Sequence, residues 1–457
     1  MDLYKASLAS LVVANGGLGY LQYRSGQKGD RSSSSVELEY VDVDTGKERA
    51  SDPADDVKTV WNFKLIFMSV YALVMGADWL QGPYQYALYK DERQLPEQMV
   101  AALFAVGFVC AGISASIVGS FADKYGRRQM CLVFCVLYWL SCITKISDSV
   151  AILFVGRVLG GVSTTLLYSV FEAWMIHEHI SRDLENKGLP QNQILSQMTT
   201  CSSVVAIIAG VVGHILVDIF GTNLAPFMAS AVCLSLAFVL ILRLWSENYG
   251  SQASEATNAG GLGGGSSIRS IMKDKRIVSL GVITCLFEGT MYLFVFFWSA
   301  ALKSARALVR SDSPPPFGLI FSTFMCAMML GSQISSLFGG KVTVPSVVQS
   351  LSVTLLVAST TLSAAVYFTS EFVTLWSFCF FEMCVGLYFP AIGYLRGQLV
   401  HGGIRGYVYG LLRLPLNVFV FVALMLTQEG QEHRGNVFLI CSALLIVATV
   451  VTLRCVN

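Results

Sequence analysis

Windows of about 20 residues with almost no charge recur along nearly the whole chain, and lipid accepts such segments only as helices that satisfy their own backbone. They fall at 3–23, 62–88, 97–121, 129–147, 150–175, 194–219, 223–244, 276–301, 316–339, 346–368, 372–396, 404–427 and 435–454. Of the 457 residues 54% are hydrophobic and 13% charged, against roughly 25% charge in a soluble domain, so water is not the main solvent. The expected fold class is an all-α polytopic membrane protein with 12 core transmembrane helices, in two sets of six, plus one extra N-terminal helix.

The segment 1–23 reads as a retained transmembrane helix and not as a signal peptide, because its start holds only Lys5 and no small-residue cleavage site follows Gly19. A polar cytoplasmic linker at 24–60 precedes a six-helix half at 61–245. A Gly/Ser-rich linker at 246–275 separates it from the second half at 276–457. Two halves around a hinge imply alternating access with a substrate site between them. Basic residues are densest in 24–61, 122–128, 176–193, 245–275, 340–345 and 397–403, which puts both ends of the core block inside the cell. Lys303, Arg306 and Arg310 dissent from that pattern.

Several function classes drop out. Basic and acidic residues balance at 31 and 30, which argues against a nucleic-acid partner. Cys110, Cys131, Cys135, Cys201, Cys233, Cys326, Cys379 and Cys441 lie inside apolar windows and read as small buried residues. Neither a nucleophile motif, a phosphate loop nor a metal spacing stands outside the windows, so an enzyme is not expected, nor a cofactor, nor a metal.

Ionisable residues deep in apolar windows are the informative ones, since a charge at the bilayer centre costs at least roughly 2.5–3.5 kcal/mol and marks a cavity or a partner. Asp78 sits among Gln81, Tyr84 and a helix-bending Pro83. Glu288 lies in the seventh core helix, Glu382 near Tyr388 in the tenth, and Arg413 near Asn417 in the eleventh. A guanidinium presents several donors in a planar fork, so Arg413 is the first choice for contacting an anionic substrate. The three acids are candidates for carrying protons; alternatively Arg413 simply ties helices together by pairing with Glu288 or Glu382.

The loop after the second core helix reads GSFADKYGRR at 119–128, and here the chain resembles the major facilitator superfamily, whose pattern is G-x-x-x-D-x-x-G-R-[RK]. Gly126 permits a tight turn, and Asp123 can accept from basic groups, so Asp123, Arg127 and Arg128 form a candidate gating latch; the alternative is a plain positively charged inner loop. The matching Gly339, Gly340 and Lys341 of the second half lack the acid. In the fourth core helix, Arg157 and Glu172 are 15 residues apart, roughly 22 Å along the axis, and cannot share one site. Arg157 is expected as an outer gate charge or an interfacial anchor, and Glu172 as a member of the inner network with Arg127 or Arg128. His177 and His179 point to different sides of the helix, which disfavours a shared metal.

More specific phrases are ADWLQ-x-PY at 77–84, GR-x-LGG-x-ST at 156–164, FEAW-x-IHEH at 171–179, W-x-ENY at 245–249, LFE at 286–288 and GLYFP at 386–390. They are similar to those of the molybdate-anion transporter family, over 61–454 and the apolar first helix. That resemblance implies a major facilitator fold and uptake of molybdate, a divalent tetrahedral oxyanion, through a cell membrane, the plasma membrane before an internal one. The expected partners are the oxyanion that the resemblance implies, the lipid bilayer that the apolar windows call for, and protons carried by Asp78, Glu288 or Glu382. Two other readings stay open: a facilitator for a neutral or cationic organic solute such as a sugar, favoured by Trp79, Gln81, Tyr84 and Tyr388, and a non-transporting membrane sensor or scaffold.

Overall fold

The computed structural model describes residues 3–33, 53–250, 274–307, 314–337, 343–368, 370–399 and 405–456, with side chains placed at all of these but 23, 25–33, 53–55 and 405–411. Within them every apolar window has become a long helix. These are α1 (Leu3–Ser33), α2 (Pro53–Gln81), α3 (Glu97–Ala115) with its short continuation α4 (Val118–Tyr125), α5 (Arg127–Thr144), α6 (Val150–Ser181), α7 (Gln191–Phe220) and α8 (Ala225–Leu244). After the linker come α9 (Lys275–Ala307), α10 (Phe317–Leu337), α11 (Val344–Tyr367), α12 (Glu371–Leu399), α13 (Arg405–Met425) and α14 (Gln431–Cys455). Ten helices among the described residues are long and apolar enough to cross a membrane; α1, α5 and α13 are not by that measure, α13 offering the shorter apolar stretch Leu412–Met425. All three nevertheless pack into the bundle, α1 on α10, α5 against α6 and α8, and α13 between α9 and α3.

The helices sort into a first half, α2–α8, and a second, α9–α14. Two helix pairs carry the packing between the halves: α7 with α10, and α3 with α13. Counted within their halves these are the fifth with the second and the second with the fifth, the relation expected of two repeats turned about an axis along the membrane normal. Large apolar side chains stay exposed on the outer surface, among them Ile208, Ile215 and Val232, because lipid is their partner.

Close approach is bought with glycine. Gly331 of α10 and Gly386 of α12 each face the other helix's backbone, at Met383 and Met328, so no Cβ fits between them. Between halves, Gly210 of α7 lies against the carbonyl of Gly318 in α10, and a Cβ there would stand 2.6 Å from that oxygen.

Pro83 explains the break that ends α2. Lacking an N–H it cannot continue the helical ladder, so Gly82–Tyr84 tightens into a 3-10 turn, Gln85–Ala87 returns to α, and Leu88–Glu92 widens into a π turn. Gln81 donates its side-chain amide to the Ala77 carbonyl at 3.0 Å beside this break.

Chain α1 lies along α10. Tyr4 donates to Glu371 near the outer end, Asn15 donates to the Cys326 carbonyl at 2.9 Å in the middle, and Gln22 reaches the Gln333 carbonyl at 2.9 Å farther in. It thus runs parallel to α10 from its outer toward its inner end.

Candidate functional site

Three layers of polar contacts run through the molecule. At the end of the bundle that the basic-residue count puts outside, called the outer side below, the halves are tied together: Lys90 meets Glu429 at 2.7 Å, and Asp91 meets Lys303 at 2.5 Å. Beneath them the buried Glu97 accepts from Tyr86 at 3.1 Å and pairs with Arg434 at 3.5 Å. Aromatic rings close the space below, with Phe296 of α9 edge-on to both Tyr86 and Phe104. Phe108 and Tyr292 follow, 4.9 Å between centroids. Tyr84 is wedged at the α7–α10 crossing, its ring against Gly213 and its hydroxyl toward Gly318.

Below this seal lies the middle layer. Asp78 accepts from Tyr138 at 2.6 Å and from Tyr168 at 3.2 Å. Tyr168 is 53% exposed although it stands half-way along α6 and interacts electrostatically with Tyr292 of the opposite half. A side chain that faces the other half and stays exposed lines a gap between the two. Arg413 belongs to the same space: it interacts with Tyr292 and precedes by one turn Asn417, which packs on Gly112 of α3. Arg413 is exposed, and none of the described residues offers it a carboxylate within ion-pair distance.

Glu288 has a different arginine. Arg396 of α12 donates through Nη2 to Glu288 at 3.2 Å and to Thr284 at 2.7 Å. Tyr388 stacks on Phe287 at 4.0 Å and donates to the same Glu288 oxygen at 3.3 Å. The alternative in which Arg413 pairs with Glu288 or Glu382 is therefore not realised. Glu382 is buried within the second half with no hydrogen bond or ion pair among the described residues. Gln81 and Tyr84 do not join the crevice group either; one bonds its own helix, and the other belongs to the outer seal.

At the inner side Asp123 pairs with Arg127 at 2.8 Å, four residues on. The rest of that network comes from the W-x-ENY phrase. Glu247 caps the start of α5 by accepting from the backbone of Arg128 at 2.8 Å and of Gln129 at 3.1 Å. Gly126 has φ +101° and no room for a Cβ beside Glu247, which is why glycine stands there. The backbone of Arg127 donates to Asn248 at 2.9 Å, and Arg128 donates to the Leu242 carbonyl at 2.7 Å. All these bonds stay within the first half. Residues 246–250 thus pack as part of it, while the Gly-rich remainder of the linker and Gly339, Gly340 and Lys341 lie outside the described residues.

Glu172 is a correction: it is exposed and joins neither Arg127 nor Arg128, because Asp123 pairs with Arg127 and Glu247 accepts from the Arg128 backbone. Arg157 does not reach an interface. It donates to the Leu103 carbonyl at 3.0 Å and lies over the Phe104 ring at 5.0 Å, clamping α6 to α3 just beneath the outer seal. His177 and His179 separate as expected, His179 buried against the Leu189 carbonyl at 2.7 Å. No group of metal ligands occurs among the described residues. Lys303 and Arg306, the dissenters of the charge count, are matched on the outer side by Asp91 and Glu371.

Arg396, Glu97 and Arg434 were not legible as site residues. Arg396 ends its apolar window and resembles an ordinary interfacial anchor, and Glu97 and Arg434 start helices as loop charges do.

Comparison with known proteins agrees with this architecture. Residues 38–378 match the family described as sugar transporters, 12 TM. The chain is 32% identical over 395 residues to the molybdate-anion transporter of Xenopus laevis, covering 84% of each chain. To that of Danio rerio it is 30% identical over 394 residues, covering 79% of each. Among solved structures a variant of the nucleoside transporter NupG superposes with TM-score 0.67 at 14% identity over 86% of this chain and 100% of that one. The D-xylose-proton symporter gives TM-score 0.66 at 12% identity over 87% and 98%. With the helices arranged in two halves of six, these likenesses place the chain in the molybdate-anion transporter family of the major facilitator superfamily.

Proposed function

We propose that this protein takes up molybdate, or a tetrahedral oxyanion like it, across the plasma membrane by alternating access, in symport with protons. The observation that carries the reading is Arg413: a guanidinium in the inter-half space, exposed and without a carboxylate partner among the described residues, is where an anion finds a fork of donors. Tyr168 and Tyr292 supply further donors nearby. The names of the amphibian and fish relatives support the same substrate.

Proton coupling follows from electrostatics. Moving a dianion toward a negative interior costs about 4.6 kcal/mol per 100 mV, at about 2.3 kcal/mol for each charge, unless cations travel with it. Asp78, held by Tyr138 and Tyr168, and Glu288, held by Arg396 and Tyr388, are the carboxylates that could carry them. The outer ion pairs close one side, and the polar bonds of the inner loop remain within one half, which suits a state that releases substrate inward.

Labelled molybdate uptake into vesicles containing the purified protein, with and without an inward proton gradient, tests the reading. Accumulation that sulfate and tungstate suppress supports it. Suppression by a sugar alone, with the oxyanions inert, would transfer the protein to the organic-solute class.

A further inference from the structure

We infer that Glu288 is a displaceable internal counterion whose carboxylate occupies, on Arg396, the place taken by the transported oxyanion once Glu288 has accepted a proton. The inference rests on the oxyanion reading above and deepens it, making Arg396 a second substrate-binding cation beside Arg413.

The geometry of the cradle is the starting point. Arg396 Nη2 divides its donation between Thr284 Oγ1 at 2.7 Å and Glu288 Oε1 at 3.2 Å. Charge-assisted pairs usually close to about 2.7–2.9 Å, so the neutral hydroxyl is held more tightly than the carboxylate. The second donor to the same oxygen, the Tyr388 hydroxyl, is at 3.3 Å. Glu288 is 3% exposed, yet its charge is met by two long contacts, a poor return for its desolvation. An oxygen of a tetrahedral dianion would find the same Arg396, Thr284 and Tyr388 donors.

The neighbouring cation lies at the right level. Leu412 packs on Gly281, while Leu416 and Phe419 pack on Gly289, so Arg413 stands along α9 between those glycines, on the level of Thr284. Two guanidiniums on one level suit a divalent anion, provided that the Glu288 carboxylate stops competing for Arg396.

The charged and titratable groups around Glu288 are few. From α9 itself they are Cys285 and Tyr292, from α12 Tyr388 and Arg396, and from α13 Arg413, acting through Tyr292. On α14 Cys441 lies near Thr290, and the turn at Gln85–Ala87 contributes Tyr86, whose hydroxyl is engaged by Glu97. Glu288 is thus the carboxylate facing Arg396 among the described residues. In the cycle its carboxylate takes one proton from crevice water, and the Arg396 N–H turns to an oxyanion oxygen. After the anion leaves inward, the carboxyl returns its proton to water and the ion pair re-forms.

The test is calorimetric binding of sulfate and of molybdate to the full chain in lipid nanodiscs, in buffers of different ionisation enthalpy. Sulfate keeps its charge through the neutral range, so any pH dependence belongs to the protein. We expect wild-type affinity to rise on going from mildly alkaline to mildly acidic pH, with about one proton taken up per anion. Glu288→Gln should bind on the order of tenfold tighter at mildly alkaline pH and lose the pH dependence, reflecting the loss of one charge-assisted competitor, whereas Arg396→Lys should bind more weakly. Equal or weaker binding by Glu288→Gln, or no proton uptake by the wild type, overturns the counterion role while leaving the oxyanion reading intact. Failure of the wild type to bind either anion removes that reading and this inference with it. The proton count is measured on the wild type and stands even if the variant does not fold.

Discussion

Lys90 and Glu429, one from each half, meet at 2.7 Å, and the residue after Lys90, Asp91, meets Lys303 at 2.5 Å. Neighbours of opposite charge thus grip the opposite half with opposite polarity. The π turn at Leu88–Glu92 presents both outward, so a broken helix end has become the clasp of the outer side.

Reversing one clasp, by Lys90→Glu, should favour opening to the outside, and Glu429→Lys in the same chain should restore closure. The check is labelling, by an impermeant reagent, of a cysteine introduced at Phe104, one of the rings of the seal. Single-pair effects should be no more than a few-fold, since exposed pairs are weak and screened by salt. If labelling is indifferent to both changes, the clasp does not govern outer closure.

The same pair has a definite pH response. The Lys90 hydrogen bond, helped by the Glu97 backbone N–H, holds the Glu429 carboxyl below the usual carboxylate range. A lowered value means that the pair contributes fully above the ordinary glutamate pKa of about 4.3 and fades as pH falls through the lowered one. Labelling at the seal should therefore be insensitive to this pair across neutral pH and rise only in acid. A rise already in the neutral range that Glu429→Gln abolishes would contradict this assignment.

Arg413→Ala should abolish molybdate uptake, by at least about a hundredfold if two charge-assisted hydrogen bonds are lost, while the protein still elutes as a folded species. Arg413→Lys should retain part of the activity, because an ammonium keeps the charge without the planar fork. Uptake unaltered by the alanine variant would remove Arg413 from the path.

At the crossing of α7 and α10, Gly210→Val should stop transport without unfolding either half. Its side chain would push against the Gly318 carbonyl and hold the outer side apart. The expected result is a thermal midpoint near that of the wild type, together with increased outside labelling at Phe104→Cys.

Glu247→Ala should lower stability by about 0.5–2 kcal/mol, the range for losing a helix cap, because the α5 N-terminus loses the acceptor of Arg128 and Gln129. Thermal unfolding in detergent reads this directly. Glu172→Ala, outside that network, should leave the midpoint unchanged.

Much of the fold was legible because lipid imposes a one-dimensional rule: each crossing is a local run of apolar residues, and every window holds a helix, although α1 runs on to Ser33 past its window's end at 23 and α2 starts at Pro53, ahead of its window's start at 62. The site was legible only in part. Asp78 and Arg413 announced themselves by depth, but Arg396 did not, since at the end of its window it has the spacing of a residue that extends to the interface. Glu172 misled for the converse reason: it sits in the FEAW-x-IHEH phrase, while the acid that caps the Arg127–Arg128 turn lies 75 positions later, in Glu247.

Composition and the spacing of apolar runs, by themselves, determined that this chain is a bundle of lipid-crossing helices in two halves with a few stranded charges. Which charges meet was decided by tertiary structure: that Arg396 and not Arg413 holds Glu288, that Lys90 finds Glu429, and that Glu247 closes the inner loop. The physical reason is range. Transfer into lipid is a sum over neighbouring residues along the chain, whereas an ion pair is made by side chains hundreds of positions apart whose distance only helix packing sets.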